Sequence, residues 1–131
     1  MIYLDASALV KLVVEEPESE SLAAFLHQHR VVTLLSSAVA RVELVRAARR
    51  HDAASAVARA ISLVHELALV SLDEDILESA SMIGDAGLRT LDALHLASAA
   101  SLGSRLTALV AYDLRLLEAA EALGLPISSP T

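Results

Sequence analysis

The chain has 131 residues, 55% of them hydrophobic and only 2% aromatic, so aliphatic side chains must fill the core of what we expect to be one domain, residues 1–131. It contains no cysteine, which excludes disulfide bonds, thiolate metal sites and a cysteine nucleophile. The formal net charge of -7 argues against nucleic-acid binding, because proteins of that class are usually basic.

Neither a signal peptide nor a membrane span is predicted. The amino terminus has no basic region, Asp5 interrupts its apolar run, and no stretch reaches the roughly 18 uncharged apolar residues that cross a bilayer. We therefore expect a cytoplasmic protein with no membrane contact.

Short apolar runs alternate with helical patterns along the chain. In chain order the predicted elements are strand Met1–Asp5, helices Ser7–Val14 and Glu18–His29, strand Val31–Leu35, helices Ala38–Arg50 and Ala53–Leu67, strand Ala68–Ser71, helices Asp73–Ile83 and Leu91–Leu102, strand Leu106–Ala111, helix Leu114–Leu123 and edge strand Pro126–Ser128. Candidate N-caps are Ser36, Ser37 and Thr90, and Gly103 is expected to end a helix. The alternation predicts a three-layer α/β/α sandwich with a central, mainly parallel sheet.

Four acidic residues are expected to meet at one edge of that sheet. Asp5 ends the first strand and Asp113 follows the fourth, while Glu43 and Asp92 lie near the starts of helices. Ligands of open α/β sheets bind beyond the carboxyl ends of the strands. Close carboxylates repel unless a cation lies between them, and Mg²⁺ or Mn²⁺ prefers such oxygens. Such a site suits phosphodiester hydrolysis, and its bound cations would offset part of the negative charge.

Each acid also has a structural interpretation. Asp5, Asp92 and Asp113 can favour the starts of helices, and Glu43 can pair with Arg46 or Arg50 on a solvated helix face. Asp5 is the strongest functional candidate, because a charge that ends the apolar run Ile2–Leu4 is costly without a partner.

Four local segments, in order, closely resemble the motifs of the PIN-domain family, and the resemblance extends over nearly the whole chain. The segments are IYLDASALV from Ile2, SAVARVEL from Ser37, LRTLDALHLA from Leu88 and AYDLRLLEAA from Ala111. Within that family the chain is most similar to VapC-type toxins, since it is short and carries no second domain.

The resemblance implies a PIN-like fold and a Mg²⁺- or Mn²⁺-dependent endoribonuclease that cleaves RNA with metal-activated water. It makes Asp5, Glu43, Asp92 and Asp113 the metal ligands and catalytic residues. It also implies the toxin role in a type II toxin–antitoxin pair, a VapB-like antitoxin partner and a homodimer. Ser7 matches a small hydroxyl of the family and is expected to contact water or metal, or else to cap the helix. Ala111 stands where the family often has Thr or Ser.

Three arginines are candidate RNA contacts. Arg46, Arg49 and Arg50 share one helix face and could lead an RNA backbone towards the acids, although a solvated, salt-bridged face is the alternative. Lys11 and Arg89 are lesser candidates. His95, one turn after Asp92, could bind a substrate group but is expected to pack beside the site without chemical work.

Two other functions are compatible with parts of this pattern. A phosphoacceptor signalling domain also places an Asp at a strand end, but it needs a Lys at a later strand end, and Lys11 is the only lysine. An inactive PIN-like module that only binds its partner is the second alternative. It is suggested by Ala111 and opposed by the presence of all four acids.

Overall fold

The computed structural model describes residues 1–51 and 54–131, and within those ranges strands alternate with helices. The strands are β1 (Ile2–Leu4), β2 (Leu34–Ser37), β3 (Ala68–Val70), β4 (Ala108–Val110) and β5 (Ile127–Ser128). The helices are α1 (Ala6–Val13), α2 (Ser19–Gln28), α3 (Ala40–Arg49), α4 (Ala54–Glu66), α5 (Glu74–Met82), α6 (Thr90–Ala100) and α7 (Leu114–Ala122), and a short 3₁₀-helix spans Gly103–Arg105.

The five strands form one parallel sheet in the order β3-β2-β1-β4-β5. The central strand β1 pairs with both β2 and β4, so that Ile2 lies opposite Leu34 on one side and Ala108 on the other. The chain leaves β1 towards β2 and β3, and later returns to the other side of β1 for β4 and β5. The boundary between β1 and β4 is therefore the topological switch point, where ligands of open parallel sheets bind.

Helices cover both faces of the sheet. Alternate residues of a strand point to opposite faces, and accordingly Ile2 and Leu4 pack with Leu9, Leu44 and other residues of α1–α4, whereas Tyr3 lies in a second cluster. That second cluster contains residues of α6 and α7, including Leu96 and Leu116. The predicted three-layer α/β/α sandwich with a parallel sheet is confirmed.

The second strand was predicted too early in the chain. It spans Leu34–Ser37 and not Val31–Leu35, and Val31 is 93% exposed. Ser36 and Ser37 are buried strand residues rather than helix caps. Strand β2 accommodates these polar side chains because the Ser36 hydroxyl donates to the carbonyl of Leu4 (2.6 Å) and the Ser37 hydroxyl accepts from the backbone N–H of Val39 (3.2 Å).

Other predicted boundaries that differ shift by one or two residues. Helix α3 starts at Ala40 and not Ala38, and α6 starts at Thr90 itself, with Arg89 in the N-cap position. Helix α6 ends at Ala100, before Leu102, and Gly103 (φ +55°) instead begins the 3₁₀-helix. The predicted start of α4 at Ala53 lies outside the described residues. No helix in the described ranges is both long enough and apolar enough to cross a membrane.

Candidate active site

The four predicted acids line one cavity of about 370 Å³ at the carboxyl edge of the sheet. Asp5 follows β1, Asp113 follows β4, and Glu43 and Asp92 lie in the first turns of α3 and α6. The other residues that line the cavity are Ala6, Ser7, Arg89, Thr90, Leu91 and His95. The cavity thus lies at the switch point between β1 and β4.

Asp5 is buried and also caps a helix. One carboxylate oxygen, Oδ1, accepts hydrogen bonds from the backbone N–H of Ala8 (2.9 Å) and the hydroxyl of Ser7 (2.6 Å). In the described residues the other oxygen, Oδ2, has no protein partner. Only 4% of Asp5 is exposed, and this burial raises the pKa of its carboxyl to about 6, despite the opposing hydrogen bonds.

Asp113 repeats this arrangement at the start of α7. Its Oδ1 accepts from the backbone N–H groups of Arg115 (2.9 Å) and Leu116 (3.4 Å). The capping interpretation is therefore correct for both Asp5 and Asp113. Capping uses only one oxygen of each carboxylate, because the Oδ2 atom of each side chain lies outside the cap.

Ser7 connects the two sides of the site. Its hydroxyl donates to Asp5 and accepts from the backbone N–H of Tyr112 (2.8 Å), which immediately precedes Asp113. Ala111 is fully buried in the cluster with Leu96 and Leu116. Its methyl group thus contributes to the core.

Glu43 is held by a buried hydrogen-bond chain. His95 Nε2 lies 2.6 Å from Glu43 Oε1, and His95 Nδ1 lies 2.7 Å from the Tyr3 hydroxyl. Because a carboxylate only accepts, Nε2 carries a proton, and in the neutral ring Nδ1 accepts from Tyr3. Burial raises the pKa of the Tyr3 hydroxyl, which therefore remains protonated. Glu43 pairs with His95, and not with Arg46 or Arg50 as the sequence alternative supposed.

Arg89 joins the remaining two acids. Its Nε lies 3.1 Å from Asp92 Oδ2 and its Nη2 lies 2.9 Å from Asp113 Oδ2. Sequence reasoning underrated both Arg89 and His95. Their spacing could have indicated that both belong to the site, since they lie three residues before and three residues after Asp92, one helical turn away in each direction.

The donor atoms of the cavity fit a hard divalent cation, because the four acids supply only carboxylate oxygens. As the side chains stand, no three His, Asp or Glu groups within residues 1–51 and 54–131 converge on a single ion position. The Arg89 guanidinium lies between Asp92 and Asp113 and contacts both of them.

The predicted RNA-contacting arginines lie beside this cavity. A second cavity of about 400 Å³ shares Ser7, Glu43 and Leu91 with the first and is also lined by Arg46 and Arg50. Arg49 lines a third cavity with the same two arginines. Arg46 and Arg50 therefore lie next to Glu43. The second cavity that they share with it also has apolar lining residues, which include Val42.

Residues 2–122 match the PIN domain. The chain belongs to the PIN-domain family. This PIN domain is 40% identical, over 132 residues, to Ribonuclease VapC47 of Mycobacterium tuberculosis (strain CDC 1551 / Oshkosh), with 99% of this chain and 97% of that protein covered. The resemblance to VapC-type proteins seen in the sequence is thus confirmed.

Two solved structures share the fold of this PIN domain. One is Mycobacterium tuberculosis VapC20, a sarcin-ricin loop cleaving toxin, with a TM-score of 0.74 at 15% identity over 95% of this chain and 96% of that chain. The other is VapBC2 from Rickettsia felis, bound to a DNA fragment from its promoter, with a TM-score of 0.72 at 14% identity over 100% of both chains.

Proposed function

We propose that this PIN domain is a metal-dependent endoribonuclease that acts as the toxin of a type II toxin–antitoxin pair. The observation that carries the proposal is the convergence of Asp5, Glu43, Asp92 and Asp113 on one cavity at the sheet switch point. Its relative VapC47 is a ribonuclease, which supports RNA as the substrate class.

Asp5, Asp92 and Asp113 would hold Mg²⁺ or Mn²⁺ directly or through water, and Glu43 would complete the acidic pocket. When bound, such an ion activates water and neutralises charge on the phosphate. The helix caps of α1 and α7 fix Asp5 and Asp113 through Oδ1 and leave Oδ2 outside each cap, and in Asp113 this oxygen contacts Arg89. His95 fixes Glu43, and Arg46 and Arg50 would attract the RNA backbone towards the cavity.

We expect cleavage of RNA to stop when the protein is treated with excess chelator and to return when Mg²⁺ or Mn²⁺ is added, because the proposed ligands are all oxygen atoms. Cleavage is followed on labelled RNA, and sequencing of the cut ends identifies the target. Undiminished activity in chelator rules out the metal mechanism. No cleavage under any metal condition, with antitoxin binding intact, supports instead an inactive partner-binding module.

The second expected result concerns the antitoxin. One chain of the VapBC2 structure shares this fold, which supports a VapB-like partner for this chain. We propose that an antitoxin arginine reaches the acids, since a guanidinium can pair with a carboxylate bidentately. The rest of that segment would lie on the apolar floor formed by Val10, Val39 and Val42.

Changing both Asp5 and Asp113 to Asn should therefore weaken antitoxin binding and reduce its salt dependence, as measured by calorimetry at several salt concentrations. The control changes Asp73 and Asp75 to Asn, which alters the net charge equally at the start of α5. Equal binding by both double variants eliminates the arginine contact, while a groove-bound antitoxin would remain.

We also propose a homodimer. Val42 on α3 and Ile61 on α4 are 59% and 45% exposed, so these helices present apolar surface that an interface could cover. Light scattering at micromolar concentration should give twice the monomer mass, and Ile61→Glu should lower it, while Leu123→Glu on the other face of the sheet should not. A monomeric parent protein contradicts the dimer.

A further inference from the structure

Arg89 contacts the carboxylate oxygens that a metal ion would need as ligands. It contacts Oδ2 of both Asp92 and Asp113. For Asp113 this is the only oxygen left free by the helix cap, because Oδ1 accepts from Arg115 and Leu116. A guanidinium and a divalent cation cannot share that oxygen without strong like-charge repulsion. Occupation of the acid pair by Arg89 and occupation by a metal therefore exclude each other.

The contacts of Arg89 are also easily broken. Its side chain is 56% exposed, and those of Asp92 and Asp113 are 13% and 30% exposed. Ion pairs of such exposure contribute little to stability. Its backbone is fixed in the N-cap position of α6, where the side chain makes no capping hydrogen bond, so the guanidinium can leave the acids without disturbing the helix start.

Once released, the guanidinium remains at the mouth of the cavity, because Arg89 lines it beside Asp92. The planar fork of a guanidinium matches phosphate oxygens bidentately. The backbone phosphate of an RNA bound at the acids is thus the nearest anion that such a residue would meet.

We propose that Arg89 holds Asp92 and Asp113 only in the metal-free protein, and that metal binding transfers its guanidinium to a backbone phosphate of the bound nucleic acid. This inference rests on the proposed metal-dependent nuclease function. It makes Arg89 both a competitor of the metal and a substrate-positioning residue. The opposite role is a permanent clamp that pre-orients the two acids for the metal, and the two roles predict opposite changes in metal affinity.

The test measures Mn²⁺ affinity by calorimetry for the full chain, Arg89→Gln and Arg30→Gln. Arg30 is an exposed arginine that precedes β2 at the opposite edge of the sheet, and its variant makes the same change in net charge. Loss of the competing ion pairs should tighten Mn²⁺ binding about 3- to 10-fold in Arg89→Gln. Unchanged or weaker Mn²⁺ binding overturns the inference and leaves the metal site intact, whereas failure of the parent protein to bind Mn²⁺ overturns the proposed function itself.

A second measurement tests the transfer to phosphate. The probe is a short oligodeoxynucleotide, which carries the same phosphodiester groups as RNA but no 2′-hydroxyl, and its binding is compared with and without Mn²⁺. Mn²⁺ should strengthen binding to the parent protein and to Arg30→Gln, and this gain should be lost in Arg89→Gln. An equal gain in all three proteins overturns the phosphate contact.

Discussion

Replacement of Asp5 by Asn is expected to abolish metal-dependent cleavage while leaving the fold intact. Asn keeps a carbonyl oxygen that can accept from Ala8 and Ser7, so the cap of α1 survives, but it removes the charge that would hold the ion. Loss of an outer partner of a metal ligand typically costs about 10–100-fold in activity, so loss of a ligand should cost at least about 100-fold. Asp92→Asn should have the same result.

The chain offers a matched control for this variant. Asp73 caps α5 with nearly the same backbone angles as Asp5, φ -78° and ψ 178° against φ -79° and ψ 178°, and it accepts from the N–H of Ile76. Asp73→Asn makes the same chemical change at an exposed cap away from the cavity. Cleavage should remain normal in that variant. Near-normal cleavage by Asp5→Asn would remove Asp5 from the site.

Asp5→Asn should also be more stable than the parent protein in chelator near pH 7.5. Burial raises the folded-state pKa of Asp5 from 3.8 to about 6, so at neutral pH the protein buries a charge that Asn does not carry. The difference should be of the order of 3 kcal/mol. It should shrink as the pH falls from 7.5 towards 4.5, because Asp5 takes up its proton more readily in the folded state. Thermal melts across this range measure it, and a constant difference contradicts the assigned pKa shift.

The second large effect is expected at His95. This side chain is only 2% exposed and bonds to both Glu43 and Tyr3. His95→Ala leaves a cavity and removes the 2.7 Å hydrogen-bond partner of the buried Tyr3 hydroxyl, which together should lower the free energy of unfolding by about 2–4 kcal/mol. Cleavage should also fall by about 10–100-fold, because Glu43 loses the partner that fixes its carboxylate.

Two further variants separate stability from positioning. Tyr3→Phe removes the hydroxyl but leaves the His95–Glu43 contact, so it should reduce stability more than cleavage. His95→Gln keeps a group that can donate to Glu43 and should recover part of the cleavage lost in His95→Ala. Denaturant unfolding and initial rates at saturating metal provide the two measurements. Equal rates for His95→Ala and His95→Gln, at matched folded fractions, would show that His95 acts through stability alone.

Much of the fold could be predicted from sequence because strand and helix patterns alternate clearly. Asp5 was found because it ends an apolar run, and Asp113 because it follows another, so the switch-point rule brought them together. The start of β2 was missed because Val31 resembles a strand residue in sequence although it is 93% exposed. Ser36 and Ser37 resemble caps in sequence, and the hydrogen bond that satisfies the buried Ser36 hydroxyl is made with Leu4, which lies 32 residues away.

The partners of the acids were also harder to predict, because they lie far from the acids in the sequence. The contact of His95 with Glu43 spans 52 residues and that of Arg89 with Asp113 spans 24 residues. Spacing on α6 places Arg89, Asp92 and His95 near one another, but it does not indicate which acid each basic group contacts. The choice of acid depends on how α3, which carries Glu43, and α7, which begins after Asp113, pack at the carboxyl edge of the sheet.

The central position of β1 has a consequence for synthesis of the chain. Strand β1 leaves the ribosome long before its partner β4, which begins at Ala108, and the hydrogen bond between Ser7 and Tyr112 spans 105 residues. A nascent chain that still lacks β4 has Asp5 but neither Asp113 nor the strand that places it. The proposed nuclease therefore cannot acquire its acidic cavity before β4 and Asp113 have been translated, so fragments that end before them should be inactive.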